Sequence, residues 1–177
     1  ERLASSVNSQ CGPSVLFTDL QFVDQEFDAR FSAVSRTYSY RILNSPDLDP
    51  FLVDRAWHIP VKLDVNSMQL ASKHLIGEHD FSSFCKKPKL KSGDPPSLVR
   101  YVNSATWSSP NEKDLFFDVS ASSFCHQMVR SIVGTLVSVG LGKISHDYLP
   151  RLISLADRQA AGEIAPPQGL ILISVEY

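Results

Sequence analysis

The sequence predicts an α+β protein: a mostly antiparallel, mixed sheet with helices packed on it. Three observations lead there. Residues 36–43 alternate side chains with period two. Two further β-rich stretches, Leu98–Trp107 and Asp114–Ala121, flank the turn-forming Ser108-Ser109-Pro110-Asn111. A run with helical apolar spacing covers Cys125–Val139 and stops at Gly140 and Gly142. Strands joined by a hairpin, interrupted by helices, fit an antiparallel sheet better than a parallel one.

Taken in order, Ser14–Val23 reads as a strand, with Val15 and Phe17 alternating against Leu16 and Thr18. In Arg36-Thr37-Tyr38-Ser39-Tyr40-Arg41-Ile42-Leu43 the alternation is stricter. Tyr38, Tyr40 and Ile42 share one face with Arg36, and Thr37, Ser39, Arg41 and Leu43 share the other. Asn44-Ser45-Pro46-Asp47 breaks that strand. Asp64–Ile76 predicts a helix with Asp64 or Asn66 as cap, a stripe of Met68, Ala71 and Leu75, and Gly77 as stop. Lys86–Pro96, with three prolines and Gly93, is the best loop candidate. The hairpin follows, then the Cys125–Val139 helix. A second helix over His146–Ala161 tolerates Pro150 only in its first turn. Gln168–Tyr177 closes as a strand whose Leu170-Ile171-Leu172-Ile173 run predicts cover on both faces.

The chain has 177 residues, enough for one domain that buries about 70% of its extended surface without staples. Its 43% apolar and 20% charged residues describe an ordinary globular composition. No stretch approaches the ~20 apolar residues of a membrane span. The odd count and wide spacing of Cys11, Cys85 and Cys125 argue against a disulfide framework and fit a reducing compartment, whether cytoplasm, nucleus or organelle matrix. The first residues carry neither an initiator methionine nor a signal-peptide pattern, which predicts a fragment or processed product.

A net charge of −2 excludes a uniformly basic nucleic-acid binder, so distribution matters more than the sum. Lys86, Lys87, Lys89, Lys91 and Arg100 fall within 15 residues that hold a single acid, Asp94. Arg30, Arg36 and Arg41 surround the aromatic pair Tyr38 and Tyr40. Runs of this kind are ordinarily solvated faces. Interleaved with aromatics, they also suit RNA, whose phosphates take the charges and whose bases stack on rings. Arg130 is the most telling residue. It is a permanent cation inside the apolar run Met128–Gly134, either solvated on an outer face or met by an anion that its guanidinium fork suits.

Other chemistries find little support. Potential metal ligands (Cys11, Cys85, Cys125, His58, His74, His79, His126, Glu78 and Asp80) form neither CxxC nor a histidine pair at i, i+4. Adjacent helical Cys125 and His126 would point about 100° apart, poor geometry for a nucleophile–base dyad. Cys125 reads as a small core residue. There is no GxSxG, phosphate loop or GxGxxG.

Four segments together resemble the TruA family of tRNA pseudouridine synthases. Phe27-Asp28-Ala29-Arg30-Phe31-Ser32-Ala33, followed by Arg36-Thr37-Tyr38-Ser39-Tyr40, is similar to its F-x-A-R-F-S-A…R-x-Y-x-Y signature. Leu75–Phe84 resembles L-x-G-x-H/N-D-F-x-S-F, and Phe124–Gly134 resembles F-x-x-x-M-V-R-x-I-V-G. Ala165–Leu170 with Val175-Glu176-Tyr177 resembles A-P-x-x-G-L…V-x-Y. The blocks keep the family's order and spacing across nearly the whole chain. One departure stands out: the family's catalytic aspartate lies in an upstream G-R-T-D-A-G-V-H block, and no Gly-Arg-Thr-Asp occurs here.

The resemblance implies that residues 1–177 are the C-terminal, RNA-binding and partial active-site domain of a synthase whose N-terminal half is missing. It implies isomerisation of uridine to pseudouridine in tRNA, in the anticodon arm, with no cofactor or metal, by a homodimer with no membrane association. Tyr38 would stack on the target uracil, and Arg130 would pair with the catalytic aspartate. Phe81 and Leu170 would line the pocket. Arg30, Arg36, Arg41, Lys86, Lys87, Lys89 and Lys91 would contact RNA phosphates. The isolated chain is expected to be inactive. A non-catalytic RNA-binding or dimerisation module and a purely structural fragment are the alternatives, both motivated by the absent aspartate.

Overall fold

The structure is a computed structural model that describes residues 2–86, 93 and 96–177. The chain forms two compact units, Glu1–Ser32 and Ala33–Tyr177. In the first, helix α1 (Arg2–Cys11) buries none of its residues. The strand expected over Ser14–Val23 is absent, because it has no partner ladder. Instead the Asn8 side chain stands in for one, its Oδ1 accepting from Phe17 N at 2.7 Å and its Nδ2 donating to Phe17 O at 2.9 Å. Val15, Leu16, Leu20, Phe22 and Val23 are all exposed.

The second unit is α+β, as expected. Its sheet contains β1 (Ser35–Asn44), β2 (Trp57–Ile59), β3 (Gly77–Asp80), β4 (Val99–Ser108), β5 (Asp114–Ala121) and β6 (Leu170–Glu176). The order β2-β1-β5-β4-β3 is antiparallel except for β1–β2, and β6 also pairs with β1. One edge of β1 is taken by β5 along residues 36–43, and the other is shared by β6 and β2. The alternation of β1 is realised. Tyr38, Tyr40 and Ile42 stand opposite Val119, Phe117 and Leu115 on the face that packs into the core. The short β2 and β3 escape sequence reading, since three or four residues carry too little periodicity to register.

Three helices complete this unit: α2 (Val65–Lys73), α3 (Met128–Gly140) and α4 (Leu149–Leu155). Asp64 caps α2, its carboxylate accepting from Ser67 N at 3.1 Å. The Ser72 hydroxyl of α2 accepts from the Trp107 indole at 3.0 Å, and Gln69 Oε1 accepts from Trp107 N at 2.8 Å, which ties the helix to β4. Helix α3 is apolar nearly all round and buried accordingly, with Met128, Ile132, Val133 and Leu136 inside the core. Each such side chain contributes on the order of 1.5–3 kcal/mol by leaving water. Helix α4 is much shorter than the 146–161 expectation. A 3₁₀ turn at His146–Tyr148 precedes it, Pro150 occupies its first turn, and Ala156 turns left-handed (φ 49°) to end it.

Two further expectations are corrected. Ile171, Leu172 and Ile173 of β6 are about half exposed, so that strand is not covered on both faces. Its hydrophobic run marks an edge with one paired side. Cys85 and Cys125 are paired as a disulfide with Cα atoms 5.7 Å apart, although 40 residues separate them, while exposed Cys11 is free. Sequence spacing says nothing about which cysteines a sheet and its loops bring together. Among the described residues no helix is long and apolar enough to cross a membrane.

Candidate active site

Tyr38 rises from the core side of β1, half-buried, one residue past a register shift between β1 and β6. Its ring meets Phe124 edge-on, with centroids 5.1 Å apart and planes at 89°. Such a contact fixes an aromatic while leaving its other face available. Phe124 belongs to the 122–127 connection from β5 to α3, which is pinned in two ways. Lys86 N donates to His126 O at 3.0 Å, and Cys125 is bonded to Cys85. Gln127 ends the connection in the left-handed region (φ 68°), rare for a residue with a side chain, and aims the chain into α3.

Arg130 is the third residue of α3 and is half-buried. Its Nε donates to the Ala165 carbonyl at 2.6 Å, and its own carbonyl accepts from Ala165 N at 3.1 Å. The cation thus meets neither bulk solvent alone nor a carboxylate. Among the described residues Arg41 pairs with Asp114, and no carboxylate is paired with Arg130. With Nε engaged, the four N–H groups on the terminal nitrogens are left for another acceptor. Tyr40, on the same β1 face as Tyr38, is fully buried and donates its hydroxyl to Pro166 O at 2.7 Å. Burial pushes the Tyr40 phenol far above its usual pKa, with the positive charge of Arg130 pulling weakly the other way. Tyr40 of β1 and Arg130 of α3 therefore both converge on the 165–166 segment. Tyr38 lies two residues along the same face of β1, so the strand and helix between them offer a partly open aromatic ring and an anchored cation, groups suited to stacking a base and holding an anion.

The remaining predicted residues are dispersed. Leu170, half-buried, opens β6 in register with Tyr40. Phe81 has no exposed surface and packs against Phe84 with ring centroids 6.1 Å apart. Arg36 donates to the carbonyls of Ala33 (2.9 Å) and Ser122 (2.7 Å). Arg41 is engaged by Asp114 at 2.8 Å, lies 5.5 Å from the Phe116 ring, and lines a groove with Asp47, Asp49 and Glu112. In the first unit Arg30 lies 5.4 Å over the Phe31 ring. Lys86 is exposed, and Lys87, Lys89 and Lys91 lie outside the described residues. Among the described residues no cluster of metal-ligating side chains occurs. Sequence reading overlooked the part played by Tyr40 and Ala165. The period-two placement of Tyr40 beside Tyr38 carried a signal, whereas nothing in the sequence joins Ala165 to Arg130.

The sequence profile of the tRNA pseudouridine synthase family matches residues 71–177. The chain is 39% identical over its full length to tRNA pseudouridine synthase A of Methylacidiphilum infernorum and covers 68% of that protein. It is 38% identical to the Thermoanaerobacter pseudethanolicus protein of the same name and 37% identical to that of Bacillus subtilis, covering all of this chain and 70% of each relative. The chain belongs to the tRNA pseudouridine synthase family, a family of isomerases.

Proposed function

We propose that this chain is the C-terminal part of a synthase that isomerises uridine to pseudouridine in tRNA, in the anticodon arm, and that the nucleophilic aspartate lies on an upstream segment. One observation carries the reading: Arg130, half-buried and anchored through Nε to Ala165 O, neighbours in the 165–166 segment the carbonyl held by Tyr40, two residues along the same β1 face from the Tyr38 ring. What supports the upstream nucleophile is that about a third of each relative has no counterpart here, together with the missing Gly-Arg-Thr-Asp.

In this reading the target uridine leaves its stack, at a cost of a few kcal/mol that stacking on Tyr38 partly offsets. Arg130 holds the carboxylate ionised and oriented. The N1–C1′ bond breaks, the base turns, and C5 bonds to C1′. The C5 proton is lost and N1 gains one, so composition is unchanged and the reaction needs no cofactor. Leu170 borders the uracil site, whereas Phe81, fully buried against Phe84, supports the core instead. Arg30, Lys86 and the lysines at 87, 89 and 91 attract RNA phosphates, while Arg36 and Arg41 are taken up by acceptors within the protein, and two such surfaces in a homodimer compensate for the weakly acidic chain.

The test is proton release from tRNA labelled with tritium at uridine C5, comparing this chain with the same chain extended upstream through a Gly-Arg-Thr-Asp segment. Release by the extended protein alone is the expected result. RNA binding without release in either form would replace this reading with a non-catalytic binding module, which the missing aspartate block favours as the second reading.

A further inference from the structure

We propose that Glu163–Gly169 is a strap that fixes the Arg130 guanidinium, and that Tyr40 is the positioning residue that holds the strap in place. This rests on the reading of Arg130 as the partner of the reacting carboxylate.

The middle of the strap has few amides of its own to hold it. Pro166 and Pro167 have no N–H, so this stretch is secured through carbonyls that accept from elsewhere. Two donors do so. Arg130 Nε donates to Ala165 O at 2.6 Å, and the Tyr40 hydroxyl donates to Pro166 O at 2.7 Å. These acceptors are consecutive residues, so moving one carbonyl moves the other. Ala165 N in turn donates to the Arg130 carbonyl at 3.1 Å, which makes the strap–arginine contact reciprocal. Both ends of the strap lie where only glycine fits. A Cβ at Gly134 of α3 would collide with the Glu163 carbonyl oxygen. A Cβ at Gly169 would stand 2.7 Å from Arg41 O and 2.8 Å from the Tyr40 ring. Tyr40 therefore touches the strap twice, by its hydroxyl at Pro166 and by its ring at Gly169. It is wholly buried, so its hydroxyl has no competing solvent.

A long arginine side chain has many rotamers, and a terminal fork is useful only if the stem is fixed. The strap fixes Nε and leaves the terminal nitrogens for the carboxylate. Displacing a catalytic group by about 1 Å commonly costs on the order of 10²-fold in rate. Tyr40→Phe keeps the ring and removes only the hydroxyl.

The first measurement is hydrogen exchange of the Arg130 Nε–H by ¹⁵N NMR on this chain, with the signal assigned by its loss in Arg130→Lys. In the wild type it should exchange at least about tenfold more slowly than the exposed arginines, as expected for a partly buried donor engaged by a carbonyl. Tyr40→Phe should abolish that protection while β4 and β5 amide shifts stay unchanged. In the extended protein Tyr40→Phe should lower kcat about 10- to 100-fold, with KM for tRNA little altered. A wild-type Nε–H that exchanges as fast as an exposed arginine overturns the strap, whether or not the variant folds. So does an active Arg130 site with unchanged kcat in Tyr40→Phe. Full turnover by Arg130→Ala would instead sink the underlying reading of Arg130, so the two failures are told apart.

Discussion

In the proposed reading Arg130 and Tyr38 divide two tasks between them. A guanidinium is always charged, so its placement decides what it does, and here one of its donors is committed to Ala165. Tyr38 has an edge contact to Phe124 and is otherwise half open. Two substitutions separate its ring from its hydroxyl. Tyr38→Phe should leave tRNA affinity within about twofold, because the stacking surface is retained, while turnover in the extended protein falls. Tyr38→Ala should weaken binding by the roughly 1–3 kcal/mol of a lost base–aromatic stack. Loss of all affinity in Tyr38→Phe, measured by filter binding, would show the hydroxyl serving the fold instead. At this scale the sequence was informative about residue type and silent about partners. An arginine embedded in Met128–Gly134 left a solvated face and an anionic partner both open, and the acceptor is neither: it is a backbone carbonyl 35 residues away, which no pattern encodes. Arg36 and Arg41 looked like free cations beside aromatics, yet both have acceptors within the protein.

The elements were legible in proportion to their length and regularity. β5 appears at the expected residues, and β1 and β4 lie within a residue or so of theirs, because alternation over eight residues leaves little freedom of register. The helix expected over 146–161 breaks at Ala156, and the Ser14–Val23 strand fails for want of a partner ladder, since neither condition is local to those residues. The β4–β5 hairpin illustrates how side chains set an end. Asn111 Oδ1 accepts from Lys113 N at 2.9 Å and Asp114 N at 2.8 Å, and Asp114 joins Arg41 across to β1. Burial raises the Asp114 pKa, but hydrogen bonds from Asn111 and Arg41 and the charge of Arg41 outweigh it, so the carboxyl sits below its ordinary value. A depressed carboxylate stabilises the fold above the unfolded value of about 4, and that contribution disappears as pH falls through the folded value. Asp114→Asn should therefore lower Tm near pH 7 and converge with wild type at about pH 2, as read by calorimetry across that range. A gap of constant size would show the ion pair to be irrelevant.

For the whole molecule, net charge misleads where local charge informs. The lysines at 86, 87, 89 and 91 fall in one polar stretch of a chain with net charge −2. If these four each neutralise one phosphate, replacing them all with alanine should flatten the dependence of log binding constant on log salt by about 3 to 4. An unchanged slope, measured with tRNA between about 50 and 200 mM salt, would move the electrostatic contact elsewhere. Fold class was readable because strand alternation and helix apolarity agree along the chain. The crossing of β1 by both β2 and β6 was not, since pairing between residues 35 and 176 depends on what lies between them. That crossing has a consequence for motion. β1 carries ladders on both edges, with β5 along one side and β6 then β2 along the other, whereas β3 is held by β4 alone. Freeing the backbone under Tyr38 means parting two ladders at once, while β3 opens by losing one. Slow breathing of the sheet is thus confined to its margins, and the ring proposed to meet the uracil rides on a quiet strand.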